Sequence, residues 1–346
     1  MTYLHNGCIN LVPIFVKIHF LLLIKIPLSY ILKLGAMEIQ TEKGLKEALH
    51  FLEIGDPDQA HLIIAKLYER ELGCEELSYT NRCCTFWRET SARLKRISNP
   101  YEKGQQLLSE WKSFQNFLSR EKYVYKPAQF SVQHGYFTSA LEFYTKQMDE
   151  KDHSLAAQIY KNAGICYKKL GDYENARACL AQANDFSPSN ASVLAELADC
   201  YSLCGNDKLG KVLFREAFFL SAEDIDIDFL DSELIRCLID KTREKGHTGK
   251  AFKQWIPVYG ILCGIFNIKR ELTSQEVGRL KQNIYAMESE FKDPSCNKDT
   301  LVPTLLNSYF WLIDHYVLTH ENTGKVNEVL LKLKILDSSV YEAYIK

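Results

Sequence analysis

The sequence predicts an all-α protein, built as an α-solenoid of antiparallel helical hairpins, and three observations carry that expectation. Residues 157–190, AQIYKNAGICYKKLGDYENARACLAQANDFSPSN, divide at Gly171 into two segments whose apolar residues recur at spacings of one, three and four, the period of an amphipathic helix. The same plan returns along the chain: Gly135, Gly171 and Gly205 are 36 and 34 positions apart, and a step of 41 reaches Gly246. A small residue follows each of these glycines by five positions, at Ala140, Ala176, Gly210 and Ala251, where close helix crossings need little side-chain bulk. Residues 41 to 345 are therefore expected to be nearly all helical, in six or seven hairpins.

The first 36 residues stand apart. Residues 9–34 are strongly apolar, but Pro13, Lys17, Lys25 and Pro27 interrupt them, and the longest run free of both residue types is 18–24. About fifteen apolar residues at roughly −0.3 to −0.6 kcal/mol each are offset by two central lysines at about +2.5 to +3.5 each, so a spanning helix gains little. Leu34-Gly35-Ala36 sets a bulky leucine where a signal peptidase prefers a small residue. Three readings stay open: translation beginning at Met37, a membrane anchor, or a signal peptide. The first makes the protein cytoplasmic, and the second makes it membrane-associated.

Residues 37–120 are expected to form N-terminal hairpins. In TEKGLKEALHFLEIGDPDQAHLIIAKLYERELG, from Thr41, Gly55 marks the turn, and Asp56-Pro57 opens the second helix, where proline's missing N–H is harmless. A helix over 75–97 carries Cys83, Phe86, Trp87 and Leu94 until Asn99-Pro100 breaks it. A second, over 101–118, places Leu107, Leu108, Trp111, Phe114 and Leu118 on its inner face, with Gly104 at the small-residue position of a degenerate repeat.

Residues 121–266 hold the regular hairpins. In 121–156 the turn is expected at Gly135, with Pro127 shortening the first helix. In 157–190 Ile159, Tyr160, Ala163, Tyr167 and Leu170 form one stripe, Gly164 removes a side chain beside it, and Ala176, Cys179, Leu180 and Ala183 form the facing stripe. Asp172 is placed to cap the second helix, and Ser187-Pro188 to end it. Residues 191–224 repeat the pattern through Leu194-x2-Leu197-Ala198-x2-Tyr201 and Gly210-x3-Phe214. Residues 232–266 are a looser copy, after a longer acidic loop, and Pro257 is expected to kink its second helix. Residues 267–346 read as divergent hairpins and a cap, with a capping box at Thr273-x-x-Glu276, a loop from Asp293, an aromatic helix over 304–318 and a last helix over 325–336.

Within this framework Tyr160-x2-Ala163-Gly164-x2-Tyr167, Ala176-x3-Leu180 and Pro188 resemble a tetratricopeptide repeat. Tyr160 replaces another aromatic, Ala163 a leucine and Leu180 a phenylalanine. The resemblance is closest at 157–190 and 191–224, and it implies a superhelix with a concave groove lined by the first helix of each pair.

Chemistry is sparse in this sequence. Forty-two basic against 44 acidic residues leave a net charge of −2, so no bulk field draws the chain to nucleic acid or anionic lipid. Eleven scattered cysteines, several on the packing stripes, fit a reducing compartment. Gly246-x2-Gly249-Lys250-Ala251 lacks the first glycine and the hydroxyl of a phosphate loop. Asp224-x-Asp226-x-Asp228 begins like a calcium loop, but Phe229 and Ile235 stand where its glycine and bidentate glutamate belong. Cys200-x3-Cys204 has no second ligand pair nearby in sequence, and His315 and His320 do not share a helix face closely. No enzyme, cofactor or metal is expected.

What the resemblance implies instead is a partner protein, bound as a peptide or helix along the groove. Projected onto this chain, the groove residues are Lys161, Asn162, Ile165 and Lys168 in one hairpin, Glu196 and Asp199 in the next, and Arg236 and Asp240 in the looser copy. Asn162 stands where the family often contacts ligand backbone. The family's lysine-and-asparagine clamp for a terminal carboxylate is not reproduced, because Ile165 and Asp199 occupy its asparagine places. The expectation is an exposed surface of mixed sign on an adaptor or scaffold. A peptide-sensing regulator and a membrane-anchored envelope component are the other readings.

Overall fold

A computed structural model describes residues 39–70 and 73–346; the readings of residues 1–36, including the start at Met37, lie outside the described residues. Among these there are fifteen α-helices and no strand, so the chain is all-α. In order they are α1 (Ile39–Glu53), α2 (Pro57–Tyr68), α3 (Glu75–Leu94), α4 (Pro100–Leu118), α5 (Lys126–Thr145), α6 (His153–Lys169), α7 (Tyr173–Phe186), α8 (Ala191–Leu203), α9 (Asp207–Leu220), α10 (Glu233–Glu244), α11 (Ala251–Leu262), α12 (Ser274–Glu290), α13 (Lys298–Leu318), α14 (Thr323–Leu336) and α15 (Ser338–Tyr344). No described helix is long and apolar enough to cross a membrane.

The described residues divide into two compact units, one formed by those up to Arg93 with Phe117–Gly135 and the other by Leu94–Asn116 with Tyr136–Lys346. In the first unit, α1 and α2 pair across a turn in which Gly55 has φ +80°. Asp56 caps α2 by accepting from the Gln59 amide at 3.1 Å, and Pro57 occupies the first turn as expected. Helix α3 is tied to α2 where Cys84 Sγ donates to the Pro57 carbonyl at 3.3 Å and Arg88 pairs with Asp58 at 3.0 Å.

The expected turn at Gly135 does not occur. Gly135 lies inside α5, so the segment 121–156 supplies one helix rather than a hairpin. The glycine serves a close approach instead: a Cβ there would sit 2.1 Å from the Leu52 carbonyl oxygen of α1. Spacing alone cannot distinguish a glycine that turns a chain from one that admits a neighbouring backbone.

In the second unit the hairpins α6/α7 and α8/α9 are the regular part. Each turns at a left-handed glycine, Gly171 at φ +83° and Gly205 at φ +81°, which side chains with a Cβ adopt at a penalty. Asp172 and Asn206 then cap α7 and α9 through bonds to the Asn175 and Leu209 amides. At the first crossing a Cβ on Gly164 would meet Leu180 at 2.6 Å and the Ala176 carbonyl at 3.2 Å; at the next, a Cβ on Gly210 would meet the Ser202 hydroxyl at 2.0 Å and the Ala198 carbonyl at 3.1 Å. Helix α8 contacts α6, α7, α9 and α10, and α11 contacts α9 and α13. One apolar core gathers Ala198, Phe214, Phe218, Ile235, Leu238 and Ile256. A second is built on α13 through Leu306, Phe310, Trp311 and Ile313, packed with Leu280 and Leu333. Helix α12 opens with the expected capping box, the Thr273 hydroxyl and Glu276 carboxylate each accepting from the other's amide.

Candidate functional site

The expected groove residues lie on α6, α8 and α10 of the second unit, and most of them are organised by burial more than by exposure. Lys168, near the end of α6, is fully buried; its Nζ donates to Glu196 at 2.5 Å and Asp199 at 2.6 Å, both on α8. Burial opposes the lysine charge, but the carboxylates of Asp199, Glu196 and Asp231 outweigh it and hold the ammonium above the ordinary lysine range. Burial pushes Glu196 above the usual carboxylate range. Asp199 spends its remaining acceptor capacity on backbone, taking the amides of Asp231 at 2.9 Å and Ser232 at 2.8 Å. Such a triad is held by geometry, because each ion has lost its water and needs its partners.

Those two amides belong to an irregular strap, residues 221–232, between α9 and α10. Its sequence alternates acids with apolar residues, and Ile225, Phe229 and Leu230 are buried. Lys169 of α6 pairs with Asp231 at 2.5 Å, and Arg236 pairs with the other oxygen of Asp231 at 2.7 Å. Burial alone would raise the Asp231 pKa, but Lys169 and Lys168 hold it below the carboxylate range. From α4, Lys112 reaches Asp226 at 2.5 Å, and Lys112 and Lys169 both lie over the Phe229 ring, 5.4 and 5.8 Å from its centre.

The strap runs between two cavities. One, of about 210 Å³, is lined by Lys112 of α4, Lys161, Asn162 and Ile165 of α6, and Ser192 and Glu196 of α8, with Asp226 and Phe229 of the strap. The other, of about 180 Å³, is lined by Gln115 of α4, Ile227 and Asp228 of the strap, and Arg236, Asp240 and Arg243 of α10. The walls of each carry both signs of charge.

The expected exposed surface is corrected by this arrangement. Asn162, Ile165, Lys168, Glu196 and Asp199 are all buried, because the strap and the neighbouring helices cover them, and the last two are committed to Lys168 and the strap backbone. Lys161 is half-buried and donates to the Ser192 hydroxyl at 3.2 Å. Only Arg236 and Asp240 are exposed, Asp240 pairing with Arg243 at 2.7 Å. Sequence reasoning missed Lys112, 114 positions from Asp226, and read the acidic run only as a longer loop. The alternation of Ile225, Ile227 and Phe229 with acids was the available signal, since period two marks an extended segment with one covered side.

The cysteines offer no activated nucleophile among those with a shifted pKa. Burial pushes Cys83, Cys84 and Cys200 up to about 12 and Cys179 up to about 11, the opposite of what a reactive thiolate needs.

No protein-family model matches the chain, and no curated protein matches it.

Proposed function

We propose that this chain is a non-enzymatic interaction module, a tetratricopeptide-like stack of hairpins that binds an extended peptide or helix of a partner protein in the cleft flanking the strap. The observation that supports this reading most is the pair of cavities on either side of residues 221–232, lined by α4, α6, α8 and α10 and edged by Lys161, Arg236, Asp240 and Arg243. Small pockets with charges of both signs suit alternate side chains of a peptide; a uniform polyanion would meet Asp226, Asp228 and Asp240 as readily as the basic groups. The reading therefore includes no nucleic-acid ligand and no cofactor. The hairpin turns at Gly171, Gly205 and Gly246, all left-handed, support the repeat assignment.

A photo-cross-linking side chain placed at position 161 and, separately, at 243 tests it. Both are expected to capture the same partner, and reversing both charges together, Lys161→Glu with Arg243→Glu, should weaken that partner at least tenfold at low salt and less at high salt. Capture from neither position, with capture from the outer helices α7 or α9, would reject the cleft.

A further inference from the structure

Helices α12 and α14 both pack on α13, and a furrow runs between them that shares no lining residue with the cavities beside the strap. Side-chain contacts fix its two ends. At one, Lys281 of α12 and Lys325 of α14 both lie over the Tyr316 ring of α13, 5.1 and 5.9 Å from its centre. At the other, Lys332 of α14 meets Glu288 of α12 at 3.1 Å, and Glu288 accepts from the Tyr309 hydroxyl of α13 at 2.8 Å. Helices α12 and α14 therefore run in the same direction, with α13 antiparallel beneath them. Between the two ends lies a cavity of about 220 Å³, floored by Ile284, Leu312, Tyr316 and Val329.

The charges are sorted along the furrow. Two ammonium groups share the Tyr316 ring, which attracts each of them, but they repel one another, and a carboxylate set between them would relieve both. Lys325 has Glu321 at 2.9 Å, whereas among the described residues Lys281 has no carboxylate within salt-bridge distance. At the far end Glu288 and Glu328 share the one ammonium of Lys332, at 3.1 and 3.5 Å, which leaves that end negative. Midway, the Tyr285 side chain of α12 lines the furrow and is 76% exposed. A groove that is apolar in its middle and oppositely charged at its ends is complementary to an amphipathic helix with the reverse order of charge. Lys281 and Glu288 are seven positions apart, about 10.5 Å along a helix. A helix lying in the furrow would match them with an acid and a base seven positions apart and apolar residues at the third and fourth positions between. We propose that the α12/α14 furrow docks an amphipathic helix of a partner protein with the pattern acid-x-x-apolar-apolar-x-x-base, its acid at Lys281 and its base at Glu288 and Glu328.

The test uses the full chain and the fluorescein-labelled peptide Ser-Ala-Ala-Glu-Ala-Ala-Leu-Leu-Ala-Ala-Lys-Ala-Ala-Ala-Gly, alanine-rich to favour helix, followed by anisotropy. Saturable binding is expected, at least fivefold weaker for Lys281→Glu and for Tyr285→Ala. Both side chains are exposed, so the circular dichroism of each variant should match the parent. A second peptide, with lysine in place of its glutamate, should bind the parent at least fivefold more weakly than the first and bind Lys281→Glu better than it binds the parent. Lys161→Glu, beside the strap, should leave the first peptide unaffected, which separates this surface from the site proposed above. Absence of saturable binding, undiminished affinity in Lys281→Glu, or no exchange of preference between the two peptides would each overturn the proposal. A loss produced by Lys161→Glu would assign the peptide to the strap cavities and overturn it as well. Sedimentation of the parent as a dimer that Tyr285→Ala dissociates would give the furrow to a second copy of this chain, and the partner helix would be rejected.

Discussion

Asp199 and Asp240 occupy the same place in successive hairpins, each six residues before a left-handed glycine, Gly205 and Gly246. Their surroundings are opposite. Asp199 is completely buried and holds Lys168 and two strap amides, whereas the Asp240 side chain is 65% exposed and, among the described residues, pairs only with Arg243, three residues along its own helix. The difference lies in what crosses the helix: the strap lies against α8, and its own anchoring demands an acceptor there. Corresponding positions in two hairpins thus carry the same residue for unrelated reasons, one as a keystone and one as a solvated charge.

The comparison is broken most directly at Asp199. Removing it leaves a fully buried ammonium with Glu196 as its remaining partner and two strap amides unpaired, so Asp199→Ala should cost about 3–5 kcal/mol, read as a lower urea midpoint with an unchanged slope. A loss under about 1 kcal/mol, on the surface scale, would mean that the triad does not hold the strap. Lys168→Met should fall in the same range, and the double variant should be less damaged than the two losses added together, because one removal already breaks the network.

Packing at the hairpin crossing comes next. Gly164→Ala drives a methyl against Leu180 and the Ala176 carbonyl, and Ala176→Leu overfills the same crossing; each should cost on the order of 1–3 kcal/mol. An unchanged melting temperature in both would show that the helices are not so closely packed.

Between the two aspartates in burial stands Glu276, whose side chain is 35% exposed. Its hydrogen bonds to Arg270 hold it well below the usual range, at about 2, against an ordinary value of 4.5. A depressed carboxylate contributes stability that is present above pH 4.5 and lost as pH falls through 2. Glu276→Gln should flatten that acid limb, by on the order of 1 kcal/mol once solvent screening is allowed for. Acid titrations of parent and variant that superimpose would refute it.

The smallest effect is expected at Asp240. Asp240→Ala should change stability by no more than about 0.5 kcal/mol, and the contrast with Asp199→Ala is the sharpest single measure of how differently the two hairpins are built. Comparable losses at both sites would erase the distinction.

By itself the sequence determined what depends on neighbours within a turn or two of helix. The turns at Gly55, Gly171, Gly205 and Gly246, the Asp172 cap and the Thr273–Glu276 box are local matters of backbone conformation and short hydrogen bonds, and they stand where the spacing predicts them. The all-α character follows from the same periodicity. Only the tertiary structure decided what lies far apart along the chain: that Gly135 receives the Leu52 carbonyl inside a helix, that Lys112 meets Asp226, and that Lys168 and Asp199 are buried beneath a strap. A lysine or an aspartate on a helix is equally compatible with water and with a buried partner. Which it meets is settled by the segment that packs over it, and the spacing of the turn glycines carries no information about an irregular loop between hairpins.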